Sequence, residues 1–408
     1  MAYSSRAHLD ALASFKYRNY RLWFLGQAAS LIGTWMQVTA QGFLVFELTH
    51  SPAFLGYVGF ASGVPIWLLT LFGGVVTDRM SRRDLLVITQ FSMMILAFTL
   101  AMLTWLSWIQ PWHILVLALA LGVANAFDAP ARQAFVVEMV GREDQGNAIA
   151  LNATMSNLAI SIGPAIAGLF YAWLGPAWCF GINAASFIPV IVALGLMRLE
   201  SRPRQIGTRT ALGDFQDGMR YVAAHRSIRV LLMTAVVVTI FGMSFGTLFP
   251  VWAVAVLGGD ATTNGFLQSA RGIGSLIGTL MIASIARRLL TGKLVAIATG
   301  VLPVFLFAFA TAHQLAPAIL ALVGVGWCLM LIVNVANILV QSQVDDAYHG
   351  RVMASFTLAS QGMVPAGALI VGAMAELFDV PMAVALGAAI LFAFAVWLAS
   401  AGELQTSE

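Results

Sequence analysis

Few side chains in this sequence could do chemistry, and each stands out against an apolar background. Asp128 and Arg132 are four residues apart, so on a helix they share a face and can pair. Asp78, Arg79, Arg82 and Arg83 crowd together just after Gly74. Arg271 lies in an apolar run that contains no acid, and Glu47 closes another such run. Polar residues also recur at helical steps of three and four. One such stripe is Gln27, Ser30, Thr34, Gln37 and Gln41, a second is Asn334, Asn337 and Gln341, and a third joins Asn125 to Asp128 and Arg132. Ionisable groups inside apolar runs are costly to bury and are functional candidates by default. They suit ion pairs that form and break, and a carboxylate that takes up and releases a proton. The six histidines and two cysteines show no metal-ligand spacing, and no phosphate- or dinucleotide-binding glycine loop is found. The expectation is a protein that is not an enzyme and uses no metal or other cofactor.

The elements that must hold these groups follow from composition. Of 408 residues, 60% are hydrophobic and 10% charged, and the mean hydropathy is +0.87. Such values exclude a soluble globular domain, a disordered chain and a coiled coil. Cys179 and Cys328 lie in apolar runs and imply no disulfide framework. Roughly 245 apolar residues, at about 20 per membrane-spanning helix, supply about twelve spans. The runs do not alternate as barrel strands would, and helices alone satisfy their own backbone in lipid. The predicted spans are 21–48, 53–77, 84–108, 112–135, 147–173, 177–197, 228–256, 263–286, 292–312, 316–341, 352–376 and 380–401.

Basic residues fall in alternate connections. Arg79, Arg82 and Arg83 lie between spans 2 and 3, and Arg142 between 4 and 5. A run from Arg198 to Arg229 separates spans 6 and 7, Arg287, Arg288 and Lys293 separate 8 and 9, and Arg351 separates 10 and 11. The other connections, near His50, Gln110, Gly175, Asp260, His313 and Asp379, hold no Lys or Arg. Cytoplasmic loops are the basic ones, so both termini are expected in the cytoplasm. Residues 1–20 carry no cleavable signal, and Leu9–Tyr20 can form a short interfacial helix.

Mid-chain, the polar stretch Glu200–Arg229 divides six spans from six. The expected layout is a segment 1–20, a six-helix bundle 21–199, a linker 200–227, a second bundle 228–402 and a tail 403–408. Within the linker, Leu212–His225 reads as a solvated connector or as an amphipathic surface helix, the connector being preferred. The halves resemble each other weakly. Thr77-Asp78-Arg79 matches Ala286-Arg287-Arg288, Gly163-Pro164-Ala165 matches Val364-Pro365-Ala366, and Asn125 matches Asn334 and Asn337. Repeated halves with a site between them are a common plan of secondary transporters.

Two motifs reach a family. Gly74-Val75-Val76-Thr77-Asp78-Arg79-Met80-Ser81-Arg82-Arg83 resembles the loop 2–3 signature of the major facilitator superfamily, Gly-x-x-x-Asp-Arg-x-Gly-Arg-Arg, with Ser81 in place of a glycine. Ala159-x-x-x-Gly163-Pro164-x-x-Ala167-Gly168 resembles the antiporter motif of that superfamily, with Ala159 and Ala167 where the motif has glycines. Phe15–Gly26, Phe46–Pro52 and Asp128–Ala134 resemble its bacterial enterobactin-exporter-like branch. The resemblance implies an all-α integral-membrane fold of twelve transmembrane helices in two pseudo-symmetric six-helix bundles. It implies proton-coupled export of small amphipathic compounds such as drugs or siderophores, with spans 1, 4, 7 and 10 lining a central cavity. It also implies that Asp78, Arg82, Asp128 and Arg132, with the rest of the loop 2–3 motif, lock the cytoplasmic ends of the halves together.

The residues leave alternatives beside these expectations. Asp128 is a lock, a proton carrier or a plain structural ion pair. Arg271 either meets an anionic group in the cavity or snorkels outward. Glu47 is a proton carrier or an exposed helix-end carboxylate. The polar stripes line a wet pathway or bond helices together. For the whole chain, the alternatives are an importer or facilitator of a small metabolite and, less favoured, a membrane enzyme. The expected setting is the bacterial inner membrane, as a monomeric multi-pass protein whose partners are lipid, a small molecule and protons, with no nucleic acid.

Overall fold

A computed structural model describes residues 12–197, 211–285 and 289–400, and over residues 70–79, 211, 212, 214 and 215 it gives the course of the helix alone. The basic stretch 198–210, residues 286–288 and the expected tail 403–408 lie outside the described residues. Among the described residues there are helices and turns and no strand. The long helices are α1 (Arg18–Thr49), α2 (Pro52–Arg79), α3 (Arg82–Trp105), α4 (Pro111–Glu138), α5 (Gln145–Leu174) and α6 (Pro176–Leu196). After the break come α7 (Arg226–Val256), α8 (Ala261–Ser284), α9 (Gly292–Ala310), α10 (Leu315–Gln343), α11 (His349–Phe378) and α12 (Val380–Ser400).

Length and composition qualify eleven of these, α2 to α12, to cross a membrane, one fewer than the twelve expected. The helix that falls short is α1. It is 32 residues long, but its stripe of glutamines, serine and threonine dilutes its hydropathy.

Consecutive long helices run antiparallel, so the bundle has an end carrying the chain termini and a far end. Far-end turns are tight. All the positive-φ residues among those described sit there: His50, Ser107, Gly175, Gly258 and Asp379. Proline opens α2, α4 and α6 from that end, where its missing N–H would have no helical partner anyway. Exposed tryptophans also gather there, with Trp108 66% and Trp173 79% exposed. Such a belt suits a membrane–water boundary.

Packing repeats between the two sets of six. α1 packs on α5 and α6, as α7 packs on α11 and α12. α2 packs on α4, as α8 packs on α10. α3 packs on α4 and α6, as α9 packs on α10 and α12. Between the sets the principal contacts are α2 with α11 and α5 with α8.

α7 departs from the uniform helix expected over 228–256. Its helix passes into a π-helical stretch at Val238–Met243, a 3-10 stretch at Ser244–Leu248 and a second π stretch at Trp252–Val256. Gly242 and Gly246 make the change inexpensive, and Pro250 removes one N–H from the ladder. α11 carries a similar π stretch at Leu358–Gly362, just ahead of Pro365.

Two terminal-end segments also differ from expectation. Of the expected interfacial helix Leu9–Tyr20, residues 9–11 lie outside the described residues, and Arg18–Tyr20 begin α1. Between them lies a 3-10 turn, Ala13–Lys16, held against the α4–α5 connection. Ser14 N donates to Asn147 Oδ1 at 3.0 Å, Tyr17 Oη donates to Asp144 Oδ2 at 2.8 Å, and Lys16 Nζ lies 2.6 Å from the same carboxylate. The Asp144 carboxylate raises the Lys16 pKa above its ordinary value. The preferred solvated connector is a docked helix, Ala211–Ala224, lying against the start of α11. Tyr221 stacks on Tyr348 at 4.7 Å, and Asp217 Oδ2 lies 3.7 Å from Arg351 Nη1. Gly218 permits the approach, since a Cβ there would lie 2.9 Å from the Arg351 carbonyl oxygen.

Candidate functional site

The most deeply buried carboxylate among the described residues is Asp128 of α4, which is 1% exposed. Thr89 Oγ1 and Gln90 Nε2, neighbours on α3, each donate to Asp128 Oδ1 at 2.8 Å. Arg132 Nε lies 3.6 Å from Oδ2, so the four-residue spacing does make the pair. Arg82 turns elsewhere. Its Nη1 lies 2.6 Å from Glu138 Oε1 and donates to the Ala134 carbonyl at 3.3 Å. Arg83 Nη2 donates to the Gly195 carbonyl at 3.1 Å. Every partner named here lies in α3, α4 or α6. Gly74, Asp78 and Arg79 end α2, and their side chains lie outside the described set.

The contacts between the two sets are backbone-close and repeat each other in register. At α2/α11, a Cβ on Gly56 would stand 2.7 Å from the Ala368 carbonyl oxygen, and one on Gly372 would stand 3.0 Å from that of Pro52. At α5/α8, a Cβ on Gly265 would stand 2.5 Å from the Pro164 carbonyl oxygen, and one on Gly168 would stand 2.7 Å from that of Ala261. Gly56 thus corresponds to Gly265, Gly372 to Gly168, and Pro52 to Ala261. Deeper in, Gly63 faces Pro365 as Gly272 faces Ser161. In this register Ala368 is the counterpart of Pro164, so the sequence match of Pro164 with Pro365 is displaced by three residues. The antiporter-like motif splits its small residues between two neighbours. Gly168 faces α8, whereas Gly163 faces Trp35 and Ile32 of α1.

The helix caps at these seams differ. Asp260 caps α8 from within its own set, accepting from Thr262 N at 3.0 Å and Thr263 N at 3.1 Å. The start of α2 is capped twice: Ser51 Oγ accepts from Phe54 N at 3.3 Å, and a second cap comes from across the seam. Glu376 of α11 accepts from Ser51 Oγ at 2.8 Å and from Ala53 N at 3.2 Å. Farther along this seam, Trp67 Nε1 of α2 donates to the Gly362 carbonyl of α11, the last residue of the π stretch.

The polar stripe of α1 is divided. Gln37 is buried and accepts from Asn183 Nδ2 of α6 at 2.7 Å, so it bonds helices of one set together. Gln27 and Ser30 are buried as well, whereas Thr34 and Gln41 are half-buried. On α10, Asn334 donates to Met330 Sδ and Gln341 donates to Asn337, each within the helix. Asn125 is half-buried with no hydrogen-bond partner among the described residues. Glu47 accepts from Tyr171 Oη of α5 in a far-end cleft of about 500 Å³ that also holds Phe43, His50 and Asp260. Arg271 reaches the broken part of α7. Its Nη1 donates to the Met243 carbonyl at 3.1 Å, and its guanidinium carbon lies 5.3 Å from the centre of the Phe249 ring.

A family model described as transmembrane secretion effector matches residues 9–407. The chain belongs to that family, within the major facilitator superfamily. The chain is 25% identical over 356 residues to the staphyloferrin A transporter of Staphylococcus aureus, a match covering 86% of this chain and 87% of that one. It is 26% identical over 388 residues to the multidrug efflux pump Tap of Mycolicibacterium fortuitum, covering 91% and 94%. It is 26% identical over 358 residues to the enterobactin exporter EntS of Shigella flexneri, covering 87% and 84%. Among solved structures, the nucleoside transporter NupG superposes with a TM-score of 0.73 at 14% identity, covering 96% of this chain and 100% of that one. A bacterial homologue of the lysosomal transporter Spinster, solved inward-facing and unoccupied, gives 0.67 at 16% identity, covering 94% and 96%. These two likenesses speak for the fold alone.

For this major facilitator protein, sequence reasoning found the charged groups but missed several partners. Thr89 and Gln90 lay unremarked in the apolar run of α3, although two adjacent polar residues there are themselves a signal. Asn183 and Ser186 in α6 were a similar one. Glu376 was legible as an acid near a helix end, but its capping of α2 depends on α11 crossing from the other set, which no local pattern reveals.

Proposed function

We propose that this superfamily member is a secondary active transporter that exports small amphipathic compounds, of the drug or siderophore kind, in exchange for protons. It would do so by alternating access, with residues 21–199 and 228–402 as the two moving units and 200–227 as their tether. The observation that carries this reading is the pair of register-matched seams, α2/α11 and α5/α8. Two units that meet along repeat-related lines can rock about them, closing one end as the other opens. The names of the relatives, an efflux pump and two siderophore transporters, support the cargo class. On this reading α1 spans the membrane as the twelfth helix, both termini are cytoplasmic and the bacterial inner membrane is the location. Thr34, Gln41, Asn125, Asn334, Asn337, Gln341 and Arg271 line the passage, and no cofactor is needed.

Asp128 is the leading acid for a coupling or locking role, and Glu47 the second. Thr89, Gln90 and Arg132 all turn donors toward the two oxygens of Asp128. An asparagine in its place would keep one acceptor but lose the ion pair to Arg132. The test is transport in inverted vesicles carrying a preset proton gradient. Adding a transported drug or siderophore should collapse the gradient. Asp128→Asn should lower transport while insertion and folding persist. Silence across chemically diverse compounds, with the protein shown to be inserted, contradicts the exporter reading. Full activity of a well-expressed Asp128→Asn protein contradicts the role of Asp128.

A further inference from the structure

We infer that Arg271 and the polar column above it on α8 form the recognition site for an anionic headgroup, so that the cargo is an amphipath bearing a carboxylate or a comparably acidic oxygen group. This rests on the exporter reading and adds to it the sign of the charge recognised. Arg271 lies about 15 Å along α8 from its far-end start, at 1.5 Å per residue. A charge at that depth is expensive unless it is paired or reaches water. Among the described residues it has no carboxylate partner. Its contacts are the Met243 carbonyl and the Phe249 ring, which leave most of its five N–H donors open.

The surroundings hold the guanidinium without neutralising it. The Met243 carbonyl lies where α7 passes from its π stretch into its 3-10 stretch. Gly246, one turn on, leaves the space that Nη1 occupies, since a Cβ at that position would collide with it. Asn264 and Gln268 precede Arg271 on one face of α8, at helical steps of four and three. Gln268 Nε2 donates to Asn264 Oδ1 at 3.2 Å, and its Oε1 accepts from Thr39 of α1 at 3.1 Å. Asn264 is fully buried, and its Nδ2 has no partner among the described residues. The unmet capacity of this column is therefore N–H donors from both Arg271 and Asn264. What such a site lacks is an acceptor with negative charge, which arginine binds through paired charge-assisted hydrogen bonds. A cationic headgroup would meet repulsion here and no acceptor.

The test uses full-length protein in liposomes and a matched pair of probes, a fluorescent aryl carboxylate and its methyl ester. Wild type should bind the carboxylate about tenfold or more tightly than the ester, the scale of one charged hydrogen-bond contact. In Arg271→Gln the two affinities should converge to within about twofold, and Arg271→Lys should retain part of the preference. Arg271→Lys also keeps the experiment decisive if the glutamine variant fails to fold. Equal binding of the two probes by wild type, or an unchanged preference in both variants, overturns the inference. Failure of the carboxylate to bind overturns it too, and failure of both probes counts against the amphipath reading as well.

Discussion

The α2/α11 and α5/α8 seams share one backbone register but differ in how their helices are finished. At α5/α8 the incoming helix carries its own cap, Asp260, so separating the seam would leave that cap in place. At α2/α11 the helix also caps itself, Ser51 Oγ accepting from Phe54 N, but the Glu376 carboxylate on Ser51 and Ala53 belongs to the opposite set, and separation would strip that part away. The counterpart of Ser51 is Asp260, and the counterpart of Glu376 is Ala172, so the acid has changed sides between the repeats. Internal duplication thus preserved the close packing, which depends on small residues, and left polar capping free to diverge. The lesson is mechanical. Parting α5/α8 would leave the Asp260 cap of α8 whole, whereas parting α2/α11 would remove the Glu376 part of the cap of α2.

The largest effect should come from filling the shared packing. Gly265→Leu and Gly56→Leu each put a side chain where a Cβ alone would stand 2.5 Å or 2.7 Å from a carbonyl oxygen. Overpacking typically costs about 1–3 kcal/mol, and both variants should lose at least about tenfold in initial transport rate. If one seam tolerates leucine and the other does not, the two are not mechanical equivalents. Next in size is Glu376→Ala. Loss of a helix cap costs roughly 0.5–2 kcal/mol, so the far end of α2/α11 should open up to about thirtyfold more often. An impermeant maleimide should then label Ala368→Cys, a site now 2% exposed, correspondingly faster. Asp260→Ala should lower thermal stability by a similar amount yet leave labelling at Ala368→Cys within about twofold. Equal acceleration by the two alanine variants would erase the distinction between the seams. Ser51→Ala removes the Phe54 cap and one donor to Glu376 while the Ala53 N–H still reaches that carboxylate, so labelling at Ala368→Cys should rise less than in Glu376→Ala.

How much of this was legible in the sequence depends on range. Helix positions were readable from apolar run length, and nearly every long helix lies within a few residues of its predicted bounds. The Asp128–Arg132 pair was readable because both partners lie on one helix. The same rule placed Gln37 in a shared stripe, but the pull of Asn183 from α6 outweighed it. The break in α7 was written in Gly242, Gly246 and Pro250, yet its use by Arg271 required α8 to lie alongside. The repeat was visible, but its register was not. Pro164 and Pro365 look alike in sequence, while packing aligns Pro164 with Ala368, three residues on.

The central claim is that the two sets rock about these seams. Both native cysteines, Cys179 and Cys328, are buried, so spin labels can be directed to introduced ones. The decisive measurement is a pair of distance distributions from full-length protein in lipid, one between labels at Ser107→Cys and His313→Cys at the far end, the other between Glu143→Cys and Asp346→Cys at the terminal end. Rocking predicts reciprocal movement: conditions or variants that lengthen the far-end distance, Glu376→Ala among them, shorten the terminal-end distance. Distances that stay fixed at both ends, or that lengthen together, would contradict it.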